Sequence, residues 1–136
     1  MASFRKEEDD SEKQQNEFKR ILNDLLKLPE NRKCADCGSA APRWASAYCG
    51  EYPTGIFICV LCSGIHRSLG THITFVRSVS LDSWKPEAIK LMQSMGNARA
   101  AQLWEAKLSS DFKRPTSGAA LEQFIKEKYQ FRRYYL

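Results

Sequence analysis

The N-terminal part of the chain has the apolar spacing of one amphipathic helix. From about Ser11, apolar residues recur every three or four positions, which places them on one helix face. These residues are Phe18, Ile21, Leu22, Leu25 and Leu26. Pro29 ends the pattern, so we expect a core-facing helix from about residue 11 to residue 28. Residues 1–12 are charged and lack periodicity, which predicts a disordered leader before a domain spanning residues 13–136.

Three further helices are predicted in the second half of the chain. The first begins near Pro86 and ends at Gly96, and the second runs from Asn97, a candidate N-cap, through Leu108. A last helix carries residues at helical spacing, namely Leu121, Phe124, Ile125 and Lys128.

The middle of the chain contains shorter elements. A β-prone run at residues 56–58 and an alternating run at residues 73–79 predict strands. Between them we expect a short helix after Cys62 that stops at Gly70. On this helix Ile65 and Leu69 should point inward, whereas Arg67, turned about 200° from each, should face solvent.

Four of the five cysteines form two Cys-x-x-Cys pairs, Cys34 with Cys37 and Cys59 with Cys62. Two such pairs supply the four thiolates of a closed, structural zinc site. The odd count and this spacing favour metal thiolates in the cytosol or nucleus over a disulfide framework. Four free buried cysteines or a redox pair are the alternatives. Cys49 has no partner at ligand spacing and is expected to be an ordinary loop thiol.

Length, hydrophobicity and charge limit the number of domains, the membrane segments and the partners that the chain can have. With 136 residues and 43% hydrophobic composition the chain is expected to form one domain. No run approaches the roughly 18 apolar residues of a membrane span, residues 1–10 lack a signal-peptide core, and Ala2 excludes N-myristoylation. Net charge is +5, and residues 113–136 hold six basic and two acidic side chains. This basic end could face nucleic acid, anionic lipid, an acidic partner or only solvent.

No catalytic site stands out within the chain. It has no phosphate-binding glycine-rich loop with a lysine, and a closed four-sulfur metal site leaves no position to activate water. An exposed arginine such as Arg67 is by itself most often only a surface charge.

The segment from Cys34 to Gly70 resembles the Arf GTPase-activating protein (ArfGAP) domain family. The family motif has two Cys-x-x-Cys pairs around an aromatic-containing loop, and an arginine five residues after the last cysteine, which here is Arg67. The similarity covers about residues 15–130 and is greatest to the stromal membrane-associated subgroup. Other matching blocks are Pro42-Arg-Trp-Ala-Ser46, Val76-Arg-Ser-Val79, Leu81-Asp82-x-Trp84, Met95-Gly-Asn97-x-x-Ala100 and Phe124-Ile-x-x-Lys-Tyr129.

The resemblance implies an α+β fold in which a small four-cysteine zinc module and a short three-stranded sheet are surrounded by about five helices. It implies a GTPase activator without a complete active site of its own, with Arg67 as an arginine finger acting in trans on a GTP-bound Arf-family GTPase. GTP and Mg²⁺ would belong to that partner. The expected partner-binding residues are Trp44, Ile65, His66 and Asp82. Trp44 could equally be a core residue, and Asp82 a helix cap.

The resemblance also implies a cellular setting. We expect a cytoplasmic monomer that is recruited peripherally to Golgi or endosomal membranes and that does not bind nucleic acid.

One feature departs from the family pattern. The loop between Cys37 and Cys59 has 21 residues, whereas about 16 is usual, an excess of five (21 − 16 = 5). Either Gly50 or Gly55 could be the family's loop glycine, so the additional segment is near residues 49–55. Loop lengthening costs little closure entropy, and we expect the fold to be retained with a changed surface beside Trp44.

Two other functions would use the same motifs. The first is a family member that binds GTP-loaded Arf without activating it, which would show binding selective for the GTP state and no stimulation of hydrolysis. The intact Arg67 argues against this alternative. A four-cysteine nucleic-acid-binding module would show binding with a steep salt dependence, but the long loop and the absence of a basic stripe after Cys62 do not favour it.

Overall fold

The computed structural model describes residues 2–136, and the side chains of residues 10–136. It confirms the α+β fold, with a three-stranded antiparallel sheet in the order β2-β1-β3. The elements, in chain order, are α1 (Ala2–Leu26), a 3-10 turn (Pro29–Asn31), β1 (Trp44–Cys49), β2 (Tyr52–Ile58), α2 (Val60–Ser68), β3 (Thr74–Ser78), α3 (Pro86–Ser94), α4 (Asn97–Trp104) and α5 (Gly118–Ile125). A π-helical turn, Lys126–Gln130, extends α5.

Helix α1 begins earlier than the apolar spacing predicted. It starts at Ala2 rather than near Ser11, because residues 2–26 contain neither glycine nor proline and are rich in strong helix formers. The predicted leader, residues 1–12, therefore overlaps this helix. Met1 and the side chains of residues 2–9 lie outside the described residues, and the domain boundary at residue 13 stays a prediction.

The two faces of the sheet contact different helices. One face packs against α1 and α3, and its core consists of Phe18, Leu22, Ala45, Ala47, Phe57, Val79, Trp84, Ala88, Ile89 and Met92. The other face packs against α2, α4 and α5, around the cysteines, Ile56, Ile58, Trp104, Leu121, Ile125 and Tyr129. Strand β2 lies in both cores because alternate residues of a strand point to opposite faces.

The segment between the cysteine pairs is a β-hairpin rather than the loop that was predicted outside residues 56–58. Cys49 is correspondingly not a loop thiol: it is the last residue of β1 and is 5% exposed. Burial raises the pKa of its thiol to about 11. The hairpin end packs on the C-terminal part of the chain, where Trp104 Nε1 donates to the Pro53 carbonyl at 3.0 Å and the Tyr52 ring contacts Trp104 and Tyr135.

The start of α4 also differs from the prediction. Asn97 is the first residue of the helix, and its backbone N–H donates to Oδ1 of Asn31 at 2.9 Å. The Asn97 side chain instead bonds to the backbone N–H and carbonyl of Phe57 in β2. The helix ends at Trp104, four residues before the predicted end at Leu108.

The hairpin contains two glycines with left-handed backbone, and their surroundings differ. Gly50 and Gly55 both have φ +59°, but a Cβ on Gly50 would meet no atom within 4 Å. A Cβ on Gly55 would lie 2.8 Å from the Leu91 backbone oxygen and would collide with the Met95 side chain. Gly55 is therefore the glycine that the packing of β2 on α3 requires.

We predict that Gly55→Ala destabilises the fold by about 3 kcal/mol, the sum of left-handed backbone strain and steric overlap. The matched variant Gly50→Ala should lose only about 1 kcal/mol, because it adds strain without overlap. Urea denaturation of the metal-loaded chain measures both. Equal losses for the two variants would contradict this assignment.

Candidate metal centre and arginine site

The fold brings the four predicted metal-binding cysteines into one cluster. Their sulfur atoms all lie within 4.8 Å of one another, and the Cys37 and Cys59 sulfurs are 3.6 Å apart. Zinc–sulfur bonds of about 2.3 Å in a tetrahedron require sulfurs about 3.8 Å apart, so the cluster has the size of a four-thiolate site. The Ala35 N–H donates to the Phe57 carbonyl at 3.0 Å, which holds the segment 34–37 beside the end of β2, where Cys59 follows.

Backbone groups around the cluster are oriented toward the sulfurs. Cys59 is the N-cap of α2, and its sulfur accepts from the Cys62 N–H at 3.4 Å. The Cys34 sulfur accepts from the Asp36 N–H at the same distance. A hydrogen bond with Cys62 lowers the pKa of Cys34 to about 5, whereas burial raises the pKa of Cys37. Four close thiolates repel one another, and a bound divalent cation would offset that repulsion.

A buried cluster of charged side chains lies beside the metal-binding segment. Asp36, between two of the cysteines, is 0% exposed, and its carboxylate contacts His66 Nε2 at 2.7 Å, Lys128 Nζ at 2.9 Å and the Tyr129 hydroxyl at 2.5 Å. Burial favours the neutral acid, but the charges of Lys128 and His66 outweigh it and hold the pKa of Asp36 below its ordinary value. The carboxylate therefore remains ionised and links the cysteine segment to α2 and to the π-helical turn after α5.

Lys128 and Arg114 extend this cluster to α4. Lys128 Nζ also contacts Glu105 Oε2 at 2.6 Å, and Glu105 accepts two hydrogen bonds of 2.8 Å from Arg114. Arg114 additionally donates to the Asp36 carbonyl at 2.9 Å. Three separate segments, represented by His66, Arg114 and Lys128, thus hold residues 34–37 through hydrogen bonds.

We predict that Lys128→Met destabilises the chain by about 3 to 5 kcal/mol, because it removes the ammonium group from the fully buried Asp36 carboxylate and leaves Glu105 with Arg114 as its remaining cation. The cost should appear as a lower urea midpoint at pH 7 in metal-loaded protein. As a matched control, Arg133→Met breaks an ion pair with Glu127 in which Arg133 is 63% exposed. Such exposed pairs contribute about 0 to 1 kcal/mol. A Lys128→Met loss no larger than that of Arg133→Met would show that the buried pairs add no stability.

Arg67 lies on the exposed side of α2, as the helical spacing predicts. Ile65 is 9% exposed and Leu69 is half-buried, both on the opposite side. The Arg67 guanidinium carbon stands 4.4 Å from the centre of the Trp44 ring. Within residues 10–136, no carboxylate forms an ion pair with this guanidinium. Trp44 is half-buried and supports the arginine from β1.

The other three candidate partner-binding residues occupy different environments. Asp82 is half-buried in the turn after β3, and its Oδ2 accepts from the N–H of Ser78, the last residue of that strand, at 2.7 Å. It does not cap a helix, because Lys85 is the N-cap of α3. Asp82 and Arg67 line the same cavity of about 390 Å³. His66 is only 1% exposed, and both ring nitrogens face polar groups of the protein. The His66 and Ile65 side chains therefore expose little surface to a partner, and their predicted partner contacts stay predictions.

Several residues around Arg67 and the cysteine cluster were not identified as candidate site residues from the sequence. Val60 and Leu61 are 70% and 48% exposed beside Trp44, and Leu81 is 83% exposed next to Asp82. In a sequence, a hydrophobic residue in the first turn of a short helix, or in a turn, cannot be distinguished from a core residue. The fold is needed to show that these residues face outward. Asp36 lies between two ligands, which is the one sequence feature that could have marked it as a residue supporting the metal site.

Comparison with known proteins places this arrangement in a family. The ArfGap family model, described as "Putative GTPase activating protein for Arf", matches residues 19–136. "Stromal membrane-associated protein 1" of Mus musculus is 50% identical over 115 residues, which is 85% of this chain and 25% of that protein. "ADP-ribosylation factor GTPase-activating protein effector protein 2" of Saccharomyces cerevisiae is 46% identical over 120 residues, 85% of this chain and 39% of that protein.

Solved structures agree with these matches. The "ArfGap domain of HIV-1 Rev binding protein" superposes with a TM-score of 0.76 at 27% identity and covers 92% of each chain. The "ArfGap domain of human RIP" gives a TM-score of 0.73 at 28% identity, covering 87% of this chain and 86% of that one.

The chain spans about a quarter to two fifths of the length of the two relatives named above. Among the described helices, none is both long and apolar enough to cross a membrane. With the family model matching residues 19–136 and the fold shared with solved ArfGap domains, the chain belongs to the ArfGap family.

Proposed function

We propose that this domain stimulates GTP hydrolysis by an Arf-family small GTPase, and that Arg67 is the arginine finger that it supplies in trans. The partner would be in its GTP-bound state and would contribute GTP, Mg²⁺ and the attacking water. The domain itself completes that active site and does not hold one of its own. Membership of the ArfGap family and the surroundings of Arg67 support this proposal.

The observation that carries the proposal is an exposed arginine that the fold holds in place without neutralising it. Trp44 lies against the guanidinium, and the described residues offer it no ion-pair partner. Its charge remains available to an anionic group of another molecule.

The surface around Arg67 suits a protein partner. Val60 and Leu61 line one cavity with Trp44, whose ring lies against Arg67. Arg67 lines a second cavity with Asp82, the residue that follows the exposed Leu81. An apolar area with a central charged group is typical of a protein–protein contact. We infer that Trp44, Val60 and Leu81 contact the GTPase while Arg67 reaches its nucleotide.

The chemistry required of Arg67 is electrostatic. As the bond to the γ-phosphoryl group breaks, negative charge develops on the phosphate oxygens, and a guanidinium placed within hydrogen-bond distance stabilises it. The planar guanidinium can donate two parallel hydrogen bonds, which a lysine ammonium cannot do in the same geometry. Closure of the interface also removes water and thereby strengthens this interaction.

We further propose that the four cysteines hold one Zn²⁺ ion and that its role is structural. The four sulfurs complete the coordination sphere, and three of the cysteines are buried. Zinc would fix the N-terminal turn of α2 against the segment 34–37, and so give the helix that carries Arg67 a rigid base. We also propose that the domain works as a monomer in the cytoplasm, recruited peripherally to Golgi or endosomal membranes, and that it does not bind nucleic acid.

The function is tested by single-turnover hydrolysis of GTP bound to purified Arf proteins, with catalytic amounts of the metal-loaded chain. We expect hydrolysis to accelerate in proportion to the chain added. Binding that selects the GTP state without acceleration would overturn the proposed activity and indicate a docking module. Salt-sensitive binding to duplex nucleic acid with no effect on any Arf would indicate the other alternative.

We predict that Trp44→Ala lowers the stimulation by roughly 2- to 30-fold, because a cation–π contact is worth about 0.5 to 2 kcal/mol. Trp44→Phe, which retains an aromatic face, should lose less. Initial rates at several domain concentrations separate an effect on Arf binding from one on turnover. If Trp44→Ala and Trp44→Phe behaved alike, with metal content unchanged, the ring would not be the feature that matters.

A further inference from the structure

We propose that His66 is a positioning residue for Arg67. Through its hydrogen bond to Asp36, it fixes the last turn of α2 to the cysteine segment 34–37 and thereby sets the direction in which Arg67 leaves the protein. This inference rests on the proposed function of Arg67 and names the group that makes the arginine usable.

Helix α2 needs support at both ends. It has nine residues, and isolated helices shorter than about 12 to 15 residues are marginal in water. The cysteine cluster holds its first turn through Cys59 and Cys62. Arg67 lies five residues beyond Cys62, about 7 to 8 Å along the helix axis, so the metal-binding residues alone do not fix its turn.

His66 provides the second attachment. Its side chain is 1% exposed, and Nε2 lies 2.7 Å from Asp36 Oδ2. Nδ1 lies 3.4 Å from the Thr74 hydroxyl of β3, and the imidazole packs on the Tyr129 ring at a centroid distance of 4.6 Å. The imidazole is thus held on three sides, directly before Arg67 in the chain.

The other end of this hydrogen bond is also fixed. Asp36 Oδ1 is held by Lys128 and by the Tyr129 hydroxyl, and the Asp36 carbonyl accepts from Arg114. Asp36 lies between Cys34 and Cys37, inside the metal-binding segment. The bond from His66 therefore connects the last turn of α2 to the same rigid base that holds its first turn.

Small rotations of α2 would matter for Arg67. Consecutive helical residues point about 100° apart, so His66 faces inward while Arg67 faces the Trp44 ring. A guanidinium on the order of 7 Å from the helix axis moves by about 1 Å when the helix turns by roughly 10°. A displacement of that size at a reacting centre can cost about 10²-fold in rate.

The test compares His66→Gln with His66→Asn in metal-loaded chain. The glutamine amide nitrogen reaches the position of Nε2 and can still donate to Asp36, whereas the shorter asparagine reaches only the position of Nδ1. We expect His66→Asn to lose on the order of 10²-fold in the kcat with which the chain stimulates GTP hydrolysis by Arf, with a nearly unchanged KM. His66→Gln should recover most of that loss. Equal kcat values for the two variants would overturn the proposal.

A second measurement does not depend on GTPase stimulation. The Nε–Hε signal of Arg67, assigned by its absence in Arg67→Lys, should show a ring-current shift from Trp44 and restricted motion in the unbound chain. Both should be lost in His66→Asn and retained in His66→Gln. If the wild-type chain showed an ordered Arg67 but activated no Arf, the proposed function would fail while the positioning role stood.

If His66→Asn did not bind metal, Tyr129→Phe would decide the question. This change removes one hydrogen bond that orients Asp36 and leaves His66 and the cysteines in place. We expect a partial loss of the Arg67 ring-current shift. An unchanged shift in folded, metal-loaded Tyr129→Phe would overturn the proposal.

Discussion

Replacing Arg67 with alanine is expected to reduce the stimulation of Arf GTP hydrolysis by about 10³- to 10⁵-fold, the contribution of arginine fingers in related chemistry. The reason is that the guanidinium would act only on charge that develops in the transition state, so its removal lowers turnover rather than affinity. Single-turnover rates at saturating domain, measured with GTP-loaded Arf, check this directly.

Arg67→Lys separates charge from geometry. Lysine keeps the positive charge but lacks the planar group that donates two parallel hydrogen bonds, so we expect it to recover little of the loss. Arg77→Lys is a matched control, because Arg77 lines the same cavity as Arg67 and its guanidinium carbon is 4.0 Å from the centre of the Phe75 ring. A folded, metal-loaded Arg67→Ala that stimulated hydrolysis as well as the parent would refute the arginine-finger proposal.

Removal of the bound metal is expected to unfold the domain. Structural zinc sites contribute about 10 to 16 kcal/mol in small zinc domains, which matches or exceeds the 5 to 15 kcal/mol stability of a typical protein. The cysteine cluster also lies inside one of the two hydrophobic cores. Loss of the ion would therefore leave closely spaced thiols in that core without the cation that holds them together. Chelation followed by far-UV circular dichroism measures the effect, and re-addition of Zn²⁺ should restore the signal where Mg²⁺ does not.

Two cysteine variants distinguish the ligands from the remaining thiol. Cys62→Ser should abolish stoichiometric metal binding and prevent folding, because it removes a ligand that is completely buried. Cys49→Ser should keep one metal per chain and lose only about 1 kcal/mol, since the Cys49 sulfur bonds weakly to the Tyr129 carbonyl at 3.6 Å. If the chain still unfolded cooperatively after a chelator had removed the metal, the metal would not be required for the fold.

The candidate site was predictable where its signal lies in local spacing. The Cys-x-x-Cys pairs define ligands because two residues between the thiols give a fixed separation, whatever the rest of the chain does. The outward direction of Arg67 follows in the same way from its offset to Ile65 and Leu69 on a short helix. The start of α1 was missed because charged helix formers leave no apolar periodicity to read.

Long-range contacts were not predictable in the same way. The pairing of His66 with Asp36 joins positions 30 residues apart, and the contact of Lys128 with Asp36 joins positions 92 apart. A histidine beside an arginine in a motif suggests a surface contact, and only the fold shows that this one is buried. The sequence near residues 49–55 also did not indicate that this segment forms the end of a hairpin that packs on Trp104 and Tyr135.

The amino-acid sequence alone indicates the four cysteines that can hold a metal ion, the family and the outward-facing Arg67, because each is encoded within a few neighbouring residues. It is the fold that places Trp44 under the Arg67 guanidinium, brings three separate segments to Asp36 and turns Val60 and Leu81 outward. These features depend on how the sheet brings distant segments together, and periodicity along the chain carries no information about which distant residues will meet.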